Sequence, residues 1–407
     1  MNWYGFLHVI RSIYSQAGPD LDLIQREGLL AVKIGQTYAL RLDFLPEASC
    51  LKLTQLYRHT DAIPPVRFKD MLKHRAPAML LEELESLDDI PLASASVGQV
   101  HLGRLRNGTR VVVKMIKTDY RERFIADVRS LRRFVRLILM VYPKLERVAD
   151  PLGILDTIEQ GTLDELDLRH EAAGQRLLID LKTRYAAMFD LNGMRFPKIH
   201  EELSNDTVMV SEFVEGRTVD ELLERREIGY DTLLELFRLH GFFVFCVGTF
   251  HGDLHPGNLI YREGAFYFLD TGVIGRVGEK MRTGLLAFFE GLTAFDYPTC
   301  ARALNAMADR GIEGGRFREF ELKLTELYRD FAGSTVAQVS LTRKMMETIR
   351  LCVNHGMVFE KGMYPIIKSL MYLDGMVLRC NPDAVLMKDM RPFLTVFQRG
   401  QGVNGSG

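Results

Sequence analysis

The chain has 407 residues, 47% of them hydrophobic and 26% charged, with a formal net charge of -1. That length is enough for two domains or one large bilobal enzyme, and the composition is that of a folded globular protein, not a disordered or fibrous one. The nearly balanced charge argues against a nucleic-acid partner.

The opening stretch "MNWYGFLHVIRSIYSQAG" has no leading basic region and is interrupted by His8 and Arg11, so it does not read as a secretory signal. Trp3, Phe6, Leu7, Ile10, Ile13 and Tyr14 recur at helical spacing and predict an amphipathic helix. Such a stripe ordinarily packs on the rest of the protein; the sharper reading is a helix lying on a membrane surface. Residues 1–88 read as helical throughout, with "IPPVRF" at 63–68 as punctuation. From Pro91 the texture changes: "SVGQVHLGRL" and "TRVVVKMIK" are strand-like runs around Arg106-Asn107-Gly108, a strong hairpin signal.

A long helical region is expected from about Tyr120 to Ala187, interrupted near Pro143 and Pro151. "DTVMVSEFVEG" then reads as a strand, and "VDELLERR" and "DTLLELFRLHGFFVFCVGTF" as helices. The loop "FHGDLHPGN" follows, then a hairpin turning at Glu263-Gly264, then mostly helix over 276–395. Residues 396–407 are expected to form a disordered tail. The expected divisions are therefore 1–88, 89–210, 211–395 and the tail.

Five cysteines (Cys50, Cys246, Cys300, Cys352 and Cys380) form no CxxC pair and read as reduced thiols. The longest weakly charged run, Leu239 to His251, is far short of the roughly 20 residues of a membrane span. Lys361, Lys368, Asp374 and Arg379 interrupt the apolar C-terminal stretches. The expectation is a cytoplasmic chain without signal or transmembrane segment, reaching a membrane only peripherally.

The chemistry concentrates in "HGDLHPGNLIYREGAFYFLDTG". Phosphoryl transfer needs a carboxylate beside the acceptor hydroxyl and oxygen ligands for Mg²⁺ near the phosphates. Asp253, Asn258 and Asp270 supply that set, and Asp253 to Asn258 has the spacing of a D-x-x-x-x-N catalytic loop. His251 and His255 offer a zinc alternative, but Pro256 and Gly257 disfavour the helix that would bring them together, and no cysteine or third histidine is near. Lys114, ending "VVVK", is a candidate for holding ATP phosphates, and Glu171 a candidate carboxylate to position it. The small-residue stretch "PLASASVGQVHLG" stands where a glycine-rich phosphate loop would lie. In "KIGQT", Lys33, Gln36 and Thr37 share a helix face. Glu165 and Asp167 point in different directions on a regular helix, so one can reach a metal or Lys33 while the other cannot.

Together these pieces resemble the UbiB-like (AarF-like) atypical kinase family, whose members support ubiquinone or other isoprenoid-lipid metabolism. The resemblance rests on "KIGQ" at 33–36, "ASASVGQVH" at 93–101, "VVVK" ending at Lys114, "ELDLRHEA" at 165–172, "HGDLHPGN" at 251–258 and "LDTGVIG" at 269–275. It implies an α+β, bilobal, protein-kinase-like fold with a helical N-terminal extension over the active site and ATP bound between the lobes. It carries nucleotide contact to Leu92, Ala93, Ser94, Ala95, Ser96, Val97, Gly98, Gln99 and Val100, to Lys114 with Glu171, and to the lobe-joining Glu212, Phe213 and Val214. Asp253 takes the catalytic role, Asn258 and Asp270 bind Mg²⁺, and Lys33, Gln36, Glu165 and Asp167 occupy the space of a protein substrate.

The implied activity is ATP hydrolysis or atypical phosphoryl transfer, with lipid or quinone-pathway intermediates and biosynthetic proteins as partners. No Ala-Pro-Glu follows "DTG", and Gly252 replaces the arginine of His-Arg-Asp, so conventional protein kinase activity is not expected. Thr271 departs from the usual phenylalanine, and "TYALR" from the usual residues after KxGQ. The transmembrane helices at the C-terminus of some relatives have no counterpart here. An aminoglycoside- or choline-kinase-like phosphotransferase and a nucleotide-binding scaffold for a lipid-biosynthetic assembly are the alternatives.

Overall fold

A computed structural model describes residues 3–39, 45–57, 62–117, 120–142, 151–359 and 363–404. Pro143, the end of "TYALR", Lys361 and residues 405–407 lie outside that set. Contacts divide the chain into two units, residues 1–173 with 197–213 and residues 174–196 with 214–407. The segment 174–196, expected with the first lobe, thus falls in the second unit.

In the first unit, strand-forming alternation builds an antiparallel sheet. β1 (Leu84–Leu87), β3 (Gly98–Leu105), β4 (Arg110–Ile116) and the strand Val208–Glu212 lie in that order, with β2 (Ala93–Ser94) also on β3. β3 and β4 pair from Gly98↔Ile116 to Arg104↔Arg110. Their turn uses Gly108 at φ 85°, while Asn107 Oδ1 accepts from Thr109 N at 2.9 Å.

The two-residue period puts Leu105, Val111, Val113 and Met115 on one face, in a core with Phe68, Leu72, Leu80, Val208 and Val210. Ile116 faces the other way, against Leu166 and Leu168. β1 is a correction to the all-helical expectation for 1–88. "LESL" has no strong strand preference, but pairing of Leu84 with Leu105 outweighs its helix propensity.

The helices Trp3–Ile13, Leu21–Arg26, Leu29–Tyr38, Glu47–Leu53, Tyr120–Val141 and Pro151–Glu165 also belong to this unit. Val9, Ile13, Ile24, Ile34, Leu53, Phe124, Val128 and Ile158 form part of their shared core. The first helix buries Gly5, Val9 and Ile13 and leaves Trp3, Tyr4 and Leu7 exposed. Gly35 of "KIGQ" allows close packing, because a Cβ there would meet Leu56 Cδ1 at 2.5 Å.

The second unit carries a hairpin of Leu259–Arg262 and Ala265–Phe268, with Met194–Arg195 parallel to the latter. Glu263 at φ 52° and Gly264 at φ 76° make its turn, the positive-φ pair that a two-residue hairpin favours. Thr249–His251 pairs with Ile274–Arg276. Around these lie the helices Val219–Glu224, Tyr230–Gly241, Glu279–Thr293, Tyr297–Met307, Gly314–Leu327, Leu341–Asn354, Met363–Cys380 and Leu386–Asn404.

The last helix corrects the tail expected from 396. Phe397 is fully buried and stacks on Phe245 at 5.6 Å, so aromatic burial orders a segment whose composition reads as polar and loose. Among the described residues, no helix is long and apolar enough to cross a membrane.

Candidate active site

Lys114 stands on the face of β4 opposite the Val111–Val113–Met115 core, level with Val100 of β3 and Met209 of the neighbouring strand. The helix Leu168–Tyr185 begins on that face and brings Glu171 within one turn of its start. Lys114 Nζ donates to Glu171 Oε2 at 2.6 Å, with side chains 16% and 9% exposed. A pair this sheltered is charge-assisted and directional.

The segment before β3 is a tight hydrogen-bonded turn. Leu92 N donates to Val100 O at 2.8 Å and Ala95 N to Gly98 O at 2.8 Å, with Ala93 opposite Val100 and Ser94 opposite Gln99. Ala95, Ser96 and Val97 form the tip, and Lys117 N donates to Val97 O at 2.8 Å.

Alternation places Gly98 and Val100 on the Lys114 face and turns Gln99 to the opposite one. Fully buried, Gln99 accepts from Ile63 N at 2.8 Å and donates to Ile63 O at 3.2 Å. It also donates to His101 Nε2 at 2.9 Å, since His101 Nδ1 lies 2.7 Å from the Asp88 carbonyl and must be the protonated nitrogen. Burial pushes the His101 pKa down, consistent with that neutral form. The amide of Gln99 therefore clamps "IPPVRF" to the sheet and lies on the face away from Lys114.

Lys33 is buried and paired with Glu165. Gln36 Nε2 donates to Leu56 O at 3.0 Å, and Thr37 Oγ1 to Lys33 O at 2.9 Å. The helix ends at Glu165 and a new one starts at Leu168, a break absent from the expected run. Asp167 causes it, accepting from Arg169 N at 3.1 Å as a cap. Arg169 also grips Asp167 at 2.9 and 2.7 Å and holds its carboxyl below the usual range. Hence Asp167 starts the helix that presents Glu171, while Glu165 serves Lys33.

In the expected joining segment, Glu212 N donates to Lys198 O at 2.7 Å and Arg110 lies 4.9 Å over the Phe213 ring. The division between units falls between Phe213 and Val214.

The second unit holds the other acidic groups. His251 Nε2 donates to Leu269 O at 2.9 Å and Nδ1 accepts from Asp253 N at 3.2 Å; burial pushes its pKa down and keeps it neutral. Asn258 Nδ2 donates to Asp253 O at 3.3 Å, and Leu269 N to Asn258 O at 2.8 Å. The loop is thus tied to the residue before Asp270, which takes a left-handed φ of 44°. His255 Nδ1 accepts from Gly257 N at 3.0 Å. With both His251 nitrogens committed to main chain, the histidines shape the loop and the zinc alternative falls.

Gly252 lies close to its neighbours: a Cβ would meet Val273 Cγ1 at 2.8 Å, so a larger residue here requires Val273 to move. Gly174 approaches the "DTG" main chain in the same way, with a Cβ reaching Thr271 O at 2.2 Å.

Mg²⁺ binds through one or two carboxylates plus water and substrate phosphates. Asn258 and Asp270 are hard oxygen donors of that kind, and Asp253 Oδ1 is buried with a cation, the Lys368 ammonium, as its neighbour at 3.0 Å; a set of oxygens that already draws a cation fits the ion. Sequence reasoning missed Lys368 as a site residue. Its Nζ lies 3.0 Å from Asp253 Oδ1, and the sequence signal was one cation in the apolar run "IIKSLMY".

The ABC1 atypical kinase-like domain family matches residues 55–304. A "probable protein kinase UbiB" of Vibrio cholerae is 26% identical over 395 residues, covering 93% of this chain and 70% of that protein. An aarF domain-containing protein kinase of Arabidopsis thaliana, named as chloroplastic, is 26% identical over 420 residues, covering 94% and 75%. A solved complex of Rv3197 with erythromycin, from Mycobacterium tuberculosis, shares the fold with a TM-score of 0.51 at 20% identity, covering 93% of this chain and 95% of that one. The mixed helix-and-sheet architecture is accordingly a kinase-like one.

Proposed function

The chain belongs to the ABC1 atypical kinase-like family, and on that premise we propose that it is a Mg²⁺-dependent ATPase or atypical kinase serving quinone or isoprenoid-lipid metabolism. The observation that carries this reading is the sheltered Lys114–Glu171 pair, which a structural surface lysine has no need of.

Lys114 contacts the ATP phosphates, and Glu171 fixes its ammonium so that little reorganisation is needed on binding. Asp253, held by His251 and Asn258 through its main chain, accepts the proton of the attacking water or hydroxyl. Asn258 and Asp270 would hold Mg²⁺, whose charge offsets that of the phosphates. The segment 92–98 and the joining residues Glu212–Val214 take the remaining nucleotide contacts.

Against a conventional protein kinase stand the missing Ala-Pro-Glu and the glycine, Gly252, in place of the arginine of His-Arg-Asp. Lys33 and Glu165 pair with one another, Gln36 bonds main chain and Asp167 is held by Arg169, and we assign these residues to shaping the site. The link to quinone or isoprenoid lipids follows from the family resemblance. Exposed Trp3, Tyr4 and Leu7 suit peripheral contact with a membrane.

The test is phosphate release from ATP by purified protein, with Mg²⁺ or with EDTA, and with quinone precursors or anionic liposomes added separately. Release that needs Mg²⁺ and rises with either addition is expected. Absence of Mg²⁺-dependent release under every condition would overturn the enzymatic reading.

A further inference from the structure

We propose that Lys368 is a positioning residue that acts as an internal counter-ion for the acidic site, holding Asp253 in place and competing with the divalent cation for the carboxylates. The inference rests on the reading of Asp253, Asn258 and Asp270 given above and adds a residue that the resemblance does not supply.

Lys368 lies on the helix Met363–Cys380, whose Ile366, Ile367, Leu370, Leu373 and Met376 are buried. Its side chain is only 15% exposed. A lysine withdrawn this far from water needs a counter-charge, and its Nζ stands 3.0 Å from Asp253 Oδ1. That oxygen has no aligned hydrogen bond, so the contact is chiefly coulombic and non-directional, easily exchanged for another cation. The same ammonium lies 5.7 Å from the Tyr372 ring, and Tyr372 meets His255 of the catalytic loop edge-on at 5.2 Å. His251 and Asn258, on either side of Asp253, are both hydrogen-bonded to Leu269, the residue before Asp270, so Asp270 lies beside the loop that carries Asp253.

Without a divalent ion, Lys368 offsets the mutual repulsion of the carboxylates. A divalent ion entering beside it meets a like charge at close range in a poorly screened setting. Removing the lysine charge therefore strengthens metal binding while leaving Asp253 without the contact that holds it. A residue that merely holds the helix in place would, when replaced, weaken both metal binding and turnover.

The experiment titrates Mn²⁺ by electron paramagnetic resonance into nucleotide-free wild type, Lys368→Met and Lys368→Arg, and measures phosphate release from ATP for each. Lys368→Met is expected to bind Mn²⁺ at least about tenfold more tightly and to turn over at least about tenfold more slowly. Lys368→Arg, which keeps the charge, should bind Mn²⁺ within about threefold of wild type. Lys368→Gln is read the same way if the methionine variant does not fold. Failure of both neutral variants to fold, or Mn²⁺ binding in them no tighter than in wild type, overturns the inference. Wild type that binds Mn²⁺ but releases no phosphate overturns the catalytic reading instead, and the affinities still decide the role of Lys368. No Mn²⁺ binding by any variant overturns both.

Discussion

Lys114 and Glu171 are each more costly to lose singly than the pair is to replace, because a sheltered charge without its partner stays desolvated. Glu171→Gln is expected to destabilise the first unit by about 3 kcal/mol, read as a lower urea midpoint, and to weaken ATP binding in a fluorescence titration. Unchanged midpoint and affinity would remove Lys114 from the phosphate role. His240 shows a different economy. It is buried beside Phe250, with Nε2 unpartnered, and burial pushes its pKa from 6.5 to about 3. The unfolded chain takes up this proton below about pH 6.5 and the folded chain does not until about pH 3. Stability therefore falls as pH drops through that window, by up to about 1.4 kcal/mol per pH unit for this group. Urea midpoints at pH 7 and pH 5 should show a smaller acid loss in His240→Leu than in wild type; equal losses would assign the effect elsewhere.

Among the elements, the helix Leu168–Tyr185 starts at Asp167 and presents Glu171 within the first unit, and within the second unit its Gly174 lies against the "DTG" main chain. Alanine is the better helix former by about 1 kcal/mol, yet Gly174→Ala is expected to lower turnover at least about tenfold by pushing the main chain beside Asp270. Gly161→Ala, in the helix Pro151–Glu165 with nothing within 4 Å of its Cβ, should instead raise stability by up to about 1 kcal/mol. Thermal melts and phosphate release on both variants check the contrast. Similar effects in the two would mean that the approach to Thr271 carries no function.

Elements with local causes were legible in the sequence. Asn107-Gly108 and Glu263-Gly264 announce hairpins, and the Asp253-to-Asn258 spacing announces its loop. The strand at Leu84 and the helix through Phe397 were not legible, because Leu105 and Phe245, distant in sequence, create them. Lys368 was hidden for the same reason, and the inward turn of the Gln99 side chain was not legible because motif spacing does not say which face of a strand a side chain takes.

For the whole molecule, the fold is that of the ABC1 atypical kinase-like family, and the proposed contact with lipid is testable on the exposed apolar residues of the first unit. In the first unit Trp3 meets Phe134 at 5.9 Å. On the same helix as Phe134, Leu137, Met140 and Val141 are exposed, with Arg129, Arg133 and Arg136 exposed nearby. Replacing Trp3, Tyr4 and Leu7 by serine spares the core residues Val9 and Ile13, which a truncation would remove. The triple variant should sediment less with anionic liposomes than wild type does, and equal sedimentation would take this helix out of any membrane contact. The proposed chemistry stands or falls with the two acids Asp253 and Asp270. Steady-state phosphate release and ATP affinity measured on wild type, Asp253→Asn and Asp270→Asn test it most directly. Asp253→Asn is expected still to bind ATP while turnover falls about 10²–10⁴-fold, and Asp270→Asn to lose its Mg²⁺-dependent turnover. Turnover at wild-type level in both variants would contradict it.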